Sequence, residues 1–191
     1  MMIKRSLNCE NFLTREEAGE MHIAGYFSVF DSPYRISNTA YETVARGAFT
    51  DTLDGDVRAL INHDTTLVLG RTTAGTLTLK EDEHGLYGDI LINPNDQDAV
   101  NTYARVNRGD VSQCSFGFEI LDESTEIRED TGEVHFTINK VRLFEVSVCT
   151  FPAYDETSVS ARSAEAEEFR RAKELEAWKI ATLATLKGGV Q

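Results

Sequence analysis

Over roughly its first three quarters the chain repeats short runs in which apolar side chains recur at every second position, separated by turn-forming residues. Residues 25–30 (GYFSVF), 56–64 (DVRALINHD), 75–80 (GTLTLK) and 86–92 (LYGDILI) alternate or run apolar and predict strands. The turn-rich EDEHG makes the last two a hairpin. A second hairpin is expected where ESTEIR and EVHFTI flank Asp130, Thr131 and Gly132, with Val134, Phe136 and Ile138 on one face and charged residues on the other. Between the hairpins the period changes. NDQDAVNTYARVNRGD predicts a helix capped by Asn95 or Asp96, with Ala99, Val100, Tyr103 and Ala104 as its stripe and Gly109 as its end. A shorter helical turn is expected at residues 46–53. Many strands and few helices indicate the α+β class, as a mostly antiparallel barrel or sandwich flanked by helices.

The composition shifts near residues 158–163, which read as a linker. Beyond it AEAEEFRRAKELEAWKIATLATLK predicts a helix over residues 165–187, with Phe169, Ala172, Leu175, Trp178 and Leu186 able to share one side. The expected organisation is therefore a domain at 1–160 and a helical tail at 161–191. The tail could pack on the domain, pair with another chain or be removable.

Charge narrows the function classes. Thirty-two acidic against nineteen basic residues leave a net charge of -13, which opposes nucleic-acid binding. A run long and apolar enough to span a bilayer does not occur, and the N-terminal residues lack the apolar core of a secretory signal, so a cytoplasmic protein without a membrane role is expected. Cys9, Cys114 and Cys149 are odd in number and widely spaced, which argues against a disulfide framework and a structural zinc site. P-loop, G-x-S-x-G and H-E-x-x-H motifs are absent, and no cofactor is implied.

Four histidines are candidates for acid–base work. His84 in EDEHG and His135 on the charged hairpin suggest solvated side chains, and His22 has undistinguished surroundings. In VRALINHD, alternation puts Val57, Ala59, Ile61 and His63 on one face, with the imidazole at the end of an apolar row as either a structural residue or a general base. In DVSQCSFGFEI, Val111, Gln113, Ser115 and Gly117 share one face, while Ser112, Cys114, Phe116 and Phe118 share the other. Cys114 then resembles a small core hydrophobe. Ser115 points away beside Gly117, whose missing side chain leaves room for a ligand or another backbone.

A serine hydroxyl is a weak nucleophile until a base takes its proton, and His63 is the natural base. A third group must fix the imidazole tautomer. In KVRLFEVSVCTFPAY, Phe144, Val146 and Val148 form the expected core face, and Glu145 lies opposite with Leu143, Ser147 and Cys149. A glutamate in so apolar a strand is either paired, with Arg71 or Arg142, or functional. Asp64 is a weaker candidate orienting group. A metal-dependent hydrolase built on Asn62, His63 and Asp64 would need further ligands that the spacing does not supply.

The segments GYFSVFDSPY, YETVARGAFTDTL, VRALINHDTTLVLGRTTAGTLTLKEDEHGLYGDI, GDVSQCSFGFEI and LFEVSVCTFPAY occur in the order, and with about the spacing, of the prohead (capsid maturation) proteases of tailed bacteriophages. The resemblance covers residues 25–162 and extends to the related herpesvirus maturation protease, assemblin. It implies a compact β-barrel surrounded by helices and a serine endopeptidase. The histidine of the family's H-D motif falls on His63, the serine before its G-F pair on Ser115, and the third position on Glu145, where the herpesvirus relatives use a second histidine.

The resemblance also implies cleavage of the scaffolding region of the major capsid protein precursor, and self-processing, inside a procapsid in the host cytoplasm. From the herpesvirus relatives it suggests activation as a homodimer. The tail helix would then serve encapsidation, scaffold contact or self-removal. Two departures stand out. Ala45 and Arg46 occupy positions where relatives often carry proline, and Cys114 precedes the nucleophile where other small or apolar residues are usual, which keeps a thiol mechanism open. Oxyanion donors are expected in the LGRTTAG loop that contains Arg71. The competing class is an inactive relative acting as internal scaffold or capsid assembly factor, with Ser115, His63 and Glu145 as structural residues.

Overall fold

The computed structural model describes residues 3–7, 12–151 and 156–188. Its larger sheet is organised by two long strands, β10 (Gln113–Ile127) and β11 (Val134–Cys149), which form the second predicted hairpin. β1 (Ile3–Leu7) pairs antiparallel along the free edge of β10. On its other side β11 has two successive partners. Its first half pairs in parallel with β5 (Ala40–Val44), which carries β4 (Tyr34–Ser37), and its second half pairs in parallel with β6 (Arg58–Ile61), which carries β7 (Asp64–Arg71). The smaller sheet is antiparallel, in the order β2 (Leu13–Glu17), β3 (Glu20–Val29), β9 (Gly85–Leu91) and β8 (Leu77–Glu81).

Both sheets feed one core, in which Ile23, Phe27, Leu86 and Ile90 of the smaller meet Phe116, Phe118, Val146 and Val148 of the larger. The architecture is α+β, but the expected barrel is not formed. Closure needs a continuous ladder with a consistent stagger, whereas here the described strands make two open sheets with no ladder between them. Val134, Phe136 and Ile138 are buried as their alternation predicts.

α1 (Gln97–Arg108) begins where Asp96 accepts the N–H groups of Asp98 and Ala99 and ends at Gly109, whose φ of 85° supplies the left-handed stop. Its buried line is Ala99, Thr102 and Val106, while Val100 and Tyr103 are half-buried and Ala104 is exposed. Thr102 can face inward because its hydroxyl donates to the Asp98 carbonyl at 2.8 Å. The short turn predicted at residues 46–53 contains a 3-10 helix at Thr50–Thr52.

α2 (Glu156–Gly188) is continuous through residues 158–163, where a linker was expected. It rests on a satellite cluster of Ile36, Ala40, Val134, Phe136 and its own Ala166, with Phe169 packed against it. Arg162 pins this contact. Only 7% exposed, its guanidinium lies over the Phe136 ring and pairs with Glu42, Glu123 and Glu165. Burial works against its charge, yet the hydrogen bonds to Glu123 and Glu165 leave its pKa raised. Farther along, Leu175, Trp178, Ile180 and Leu183 are exposed, so of the expected stripe Phe169 alone is seen to pack. The Leu186 side chain is outside the described residues. No described helix is long and apolar enough to cross a membrane.

Candidate active site

The strand predicted at residues 56–64 stops at Ile61, and Ile61 pairs with Asp64 across a two-residue turn. Asn62 and His63 both have positive φ, 51° and 61°. This is the twist that tight hairpins favour and that asparagine followed by glycine usually supplies. A histidine there is strained locally and has to be held by its surroundings. Three hydrogen bonds do so. Asn62 N–H donates to the Val148 carbonyl at 3.0 Å, the Thr150 N–H donates to Asn62 Oδ1 at 2.8 Å, and His63 N–H donates to Ser147 Oγ at 3.2 Å. Val57 and Ala59 remain in the core as expected, but the turn carries the imidazole off their row. A strict two-residue period cannot anticipate that reversal.

The partner strand changes phase as well. Gly117 lies opposite Glu145, yet Phe118 lies opposite Leu143, so Phe144 is an extra residue in β11. This bulge puts Leu143 in the core and leaves Phe144 half-buried, the reverse of the expectation for those two. Beyond it Val146 and Val148 face the core, while Glu145 and Ser147 face away from it.

Glu145 is 4% exposed, and each carboxylate oxygen has a partner. His63 Nδ1 lies 2.6 Å from Oε1, and Ser147 Oγ donates to Oε2 at 2.6 Å. Because a carboxylate can only accept, Nδ1 is the donor in this contact, and Nε2 is the ring atom left to act as a base. Nε2 is buried and without a hydrogen-bond partner. Neither arginine considered for Glu145 reaches it: Arg142 pairs with Glu119 and Arg71 with Asp56. Gly117 explains how the carboxylate fits, because a Cβ at that position would meet Glu145 Oε1 at 2.4 Å and its Cγ and Cδ at 3.1 Å. The room left by the glycine is occupied by a side chain of the site itself.

Ser115 is fully buried and lies directly opposite Ser147, which in turn lies opposite Leu60 of β6. Its neighbours Cys114 and Phe116 belong to the core, so Ser115 shares the outward face with Glu145 and Ser147. The fold thus gathers all three predicted residues onto two adjacent strands and the turn beside them. It brings His63 and Glu145 into contact but leaves the Ser115 hydroxyl without a bond to Nε2. Such bonds are often long before substrate is bound. A cleft of about 420 Å³, lined by Asn62, His63, Cys149, Thr150 and Phe151, opens beside the imidazole.

The remaining candidates fall elsewhere. Cys114 lies on the core side and is disulfide-bonded, so it presents no thiol to the site. That bond departs from the expectation drawn from the cysteine spacing. Cys9 and residues 152–155, including the P-A-Y segment, are outside the described residues. Asp64 accepts the hydroxyl and N–H of Thr66, which hold its carboxyl below the ordinary value.

Arg71 donates twice to Asp56 at 2.6 Å, and these bonds hold the Asp56 carboxyl well below the usual carboxylate range. Its loop borders a different cavity, of about 540 Å³, rather than the cleft beside His63. His135 is not solvated as expected but stacks on Tyr41 and lies 2.8 Å from Thr43 Oγ1. His22 lies 2.8 Å from Asp89. Among the described residues, no three His, Cys, Asp or Glu side chains gather where they could hold a metal ion. Sequence reasoning missed the bonding role of Ser147. A polar side chain beside Glu145 in an otherwise apolar strand was the signal available.

This constellation, carried on two open sheets, coincides with a known sequence family. Residues 10–172 match the caudovirus prohead serine proteases, and the chain belongs to that family. The prohead protease of Enterobacteria phage HK97 is 31% identical over 141 residues, which cover 72% of this chain and 58% of that protein. The chain therefore spans little more than half the length of that relative. The structure of the bacteriophage T4 capsid assembly protease, gp21, shares the fold with a TM-score of 0.52 at 11% identity, over 79% of this chain and 98% of that one.

Proposed function

We propose that the chain is a phage capsid maturation protease, a serine endopeptidase in which Ser115 is the nucleophile, His63 the general base and Glu145 the orienting carboxylate. The observation that carries this reading is the buried 2.6 Å contact between His63 Nδ1 and Glu145, which leaves Nε2 buried and unpartnered while Glu145 shares its sheet face with Ser115. Ser115 Oγ attacks the scissile carbonyl carbon while its proton passes to Nε2, and Glu145 stabilises the resulting imidazolium through Nδ1–H. The imidazolium then gives its proton to the leaving amine, and water releases the acyl group by the same route. Reaction requires Ser115 Oγ and Nε2 to close to hydrogen-bond distance and the buried hydroxyl to become accessible.

Family membership supports the scaffolding region of the major capsid protein precursor as substrate, and the protease itself as a second one, inside the procapsid. The test is co-expression with the major capsid protein of the same genome, as wild type or as Ser115→Ala, followed by intact mass measurement. An N-terminal segment lost only with wild type supports the reading and identifies the bond. Shortened product with both would remove Ser115 from the nucleophile's role. The alternative, an inactive internal scaffold, draws on the burial of Ser115 and its missing bond to Nε2. It predicts full-length capsid protein in assembled shells with either form.

A further inference from the structure

We infer that Ser147 is a positioning residue of this site, acting on His63 from two directions at once; the inference rests on the reading of Ser115, His63 and Glu145 as a catalytic unit. Its side chain is fully buried on the face opposite the core, so it fills no gap among the apolar residues. A hydroxyl has one proton to donate and lone pairs to accept with. Ser147 uses both: it donates to Glu145 Oε2 at 2.6 Å and accepts the His63 backbone N–H at 3.2 Å.

These two bonds have different effects. The first fixes the rotation of the carboxylate, because Oε1 is already directed at His63 Nδ1 and the second oxygen would otherwise be buried without a donor. The second ties down the backbone of a residue whose φ of 61° a histidine rarely adopts. Ser147 therefore sets the ring through Glu145 and the main chain directly. It does so from the position opposite Ser115. With its only proton committed to Glu145, it supports the base rather than supplying a second nucleophile.

The test compares Ser147→Ala, Ser147→Thr and Ser147→Val in the full chain. Threonine keeps the hydroxyl, and valine matches threonine in shape without it, so this pair remains decisive if the alanine variant fails to fold. Cleavage of the capsid precursor should lose about 10- to 100-fold in kcat, with little change in KM, in the alanine and valine variants and recover in the threonine variant. Proton NMR supplies a readout independent of catalysis. The downfield Nδ1–H signal of His63, assigned by its loss in His63→Gln, should be sharp in wild type and Ser147→Thr and broadened by exchange in Ser147→Val.

Wild-type kcat in Ser147→Val, equal impairment of the threonine and valine variants, or an unchanged Nδ1–H signal without the hydroxyl would each overturn the inference. Undiminished cleavage by Ser115→Ala would instead overturn the reading of the triad, and the NMR comparison would still decide whether Ser147 holds the histidine–glutamate pair.

Discussion

Gly117→Ala probes the proposed site without touching a reacting group. The added Cβ would lie 2.4 Å from Glu145 Oε1 and 3.1 Å from its Cγ and Cδ, whereas ordinary contact begins near 3.4 Å. The oxygen must therefore retreat by roughly 1 Å to reach ordinary non-bonded separation. The strand has little freedom to yield instead, since Gly117 is paired with Glu145 on one side and with Lys4 on the other. A retreat of that size away from His63 would stretch the 2.6 Å contact beyond hydrogen-bond range, and one away from Ser147 would do the same to the second 2.6 Å bond.

Misplacement of a catalytic group by about 1 Å costs on the order of 100-fold, and loss of the carboxylate's orienting role in a serine triad costs up to about 10⁴-fold, so kcat should fall within that interval. Overpacking by one methyl group should cost roughly 1–3 kcal/mol of stability, leaving a folded protein with a lower Tm. The assay is a time course of capsid precursor cleavage by intact mass, alongside circular dichroism of the variant. A folded Gly117→Ala protein cleaving within about threefold of the wild-type rate would refute the reasoning.

Glu145→Gln keeps the shape but removes the charge that stabilises the imidazolium, and kcat should drop by roughly 10²- to 10⁴-fold in the same assay; an unchanged rate would move the orienting role to another residue. Arg162→Met should remove the buried cation that pairs with Glu42, Glu123 and Glu165 and release α2, lowering stability by about 3–5 kcal/mol and opening α2 to limited proteolysis. Protection of α2 equal to wild type would show that its apolar contacts suffice. Because Asp56 has its carboxyl pKa depressed in the folded protein, chiefly by Arg71, its stabilising contribution is present above the ordinary carboxylate range and is lost as pH falls toward the folded value. Asp56→Asn should therefore lower Tm slightly at neutral pH, with the gap closing in strong acid. A gap independent of pH would mean that the ion pair is not its source.

Much of this molecule follows from short-range rules. The Asp96 and Gly109 caps, the inward row of Val134, Phe136 and Ile138, and the outward direction of Ser115 were legible because each depends on a few consecutive residues with one backbone geometry. The two open sheets were not legible in this way, because a barrel and an open sandwich use strands of the same alternation and differ in which edges meet.

The same division runs through the candidate site. Residue identity and alternation suggested His63, Ser115 and Glu145, yet two local departures from that alternation assemble their surroundings. The left-handed turn at Asn62 and His63 redirects the imidazole, and the bulge at Phe144 exchanges the expected faces of Leu143 and Phe144. Each depends on hydrogen bonds to residues distant in the chain. The contact of Glu145 with His63 and Ser147, and its seat over Gly117, come from lateral strand pairing. Sequence alone determined the chemistry available and much of the facing of individual strands. The tertiary structure decided which side chains meet, because a two-residue period carries no record of where a turn reverses it, where a bulge resets it, or which strand lies alongside.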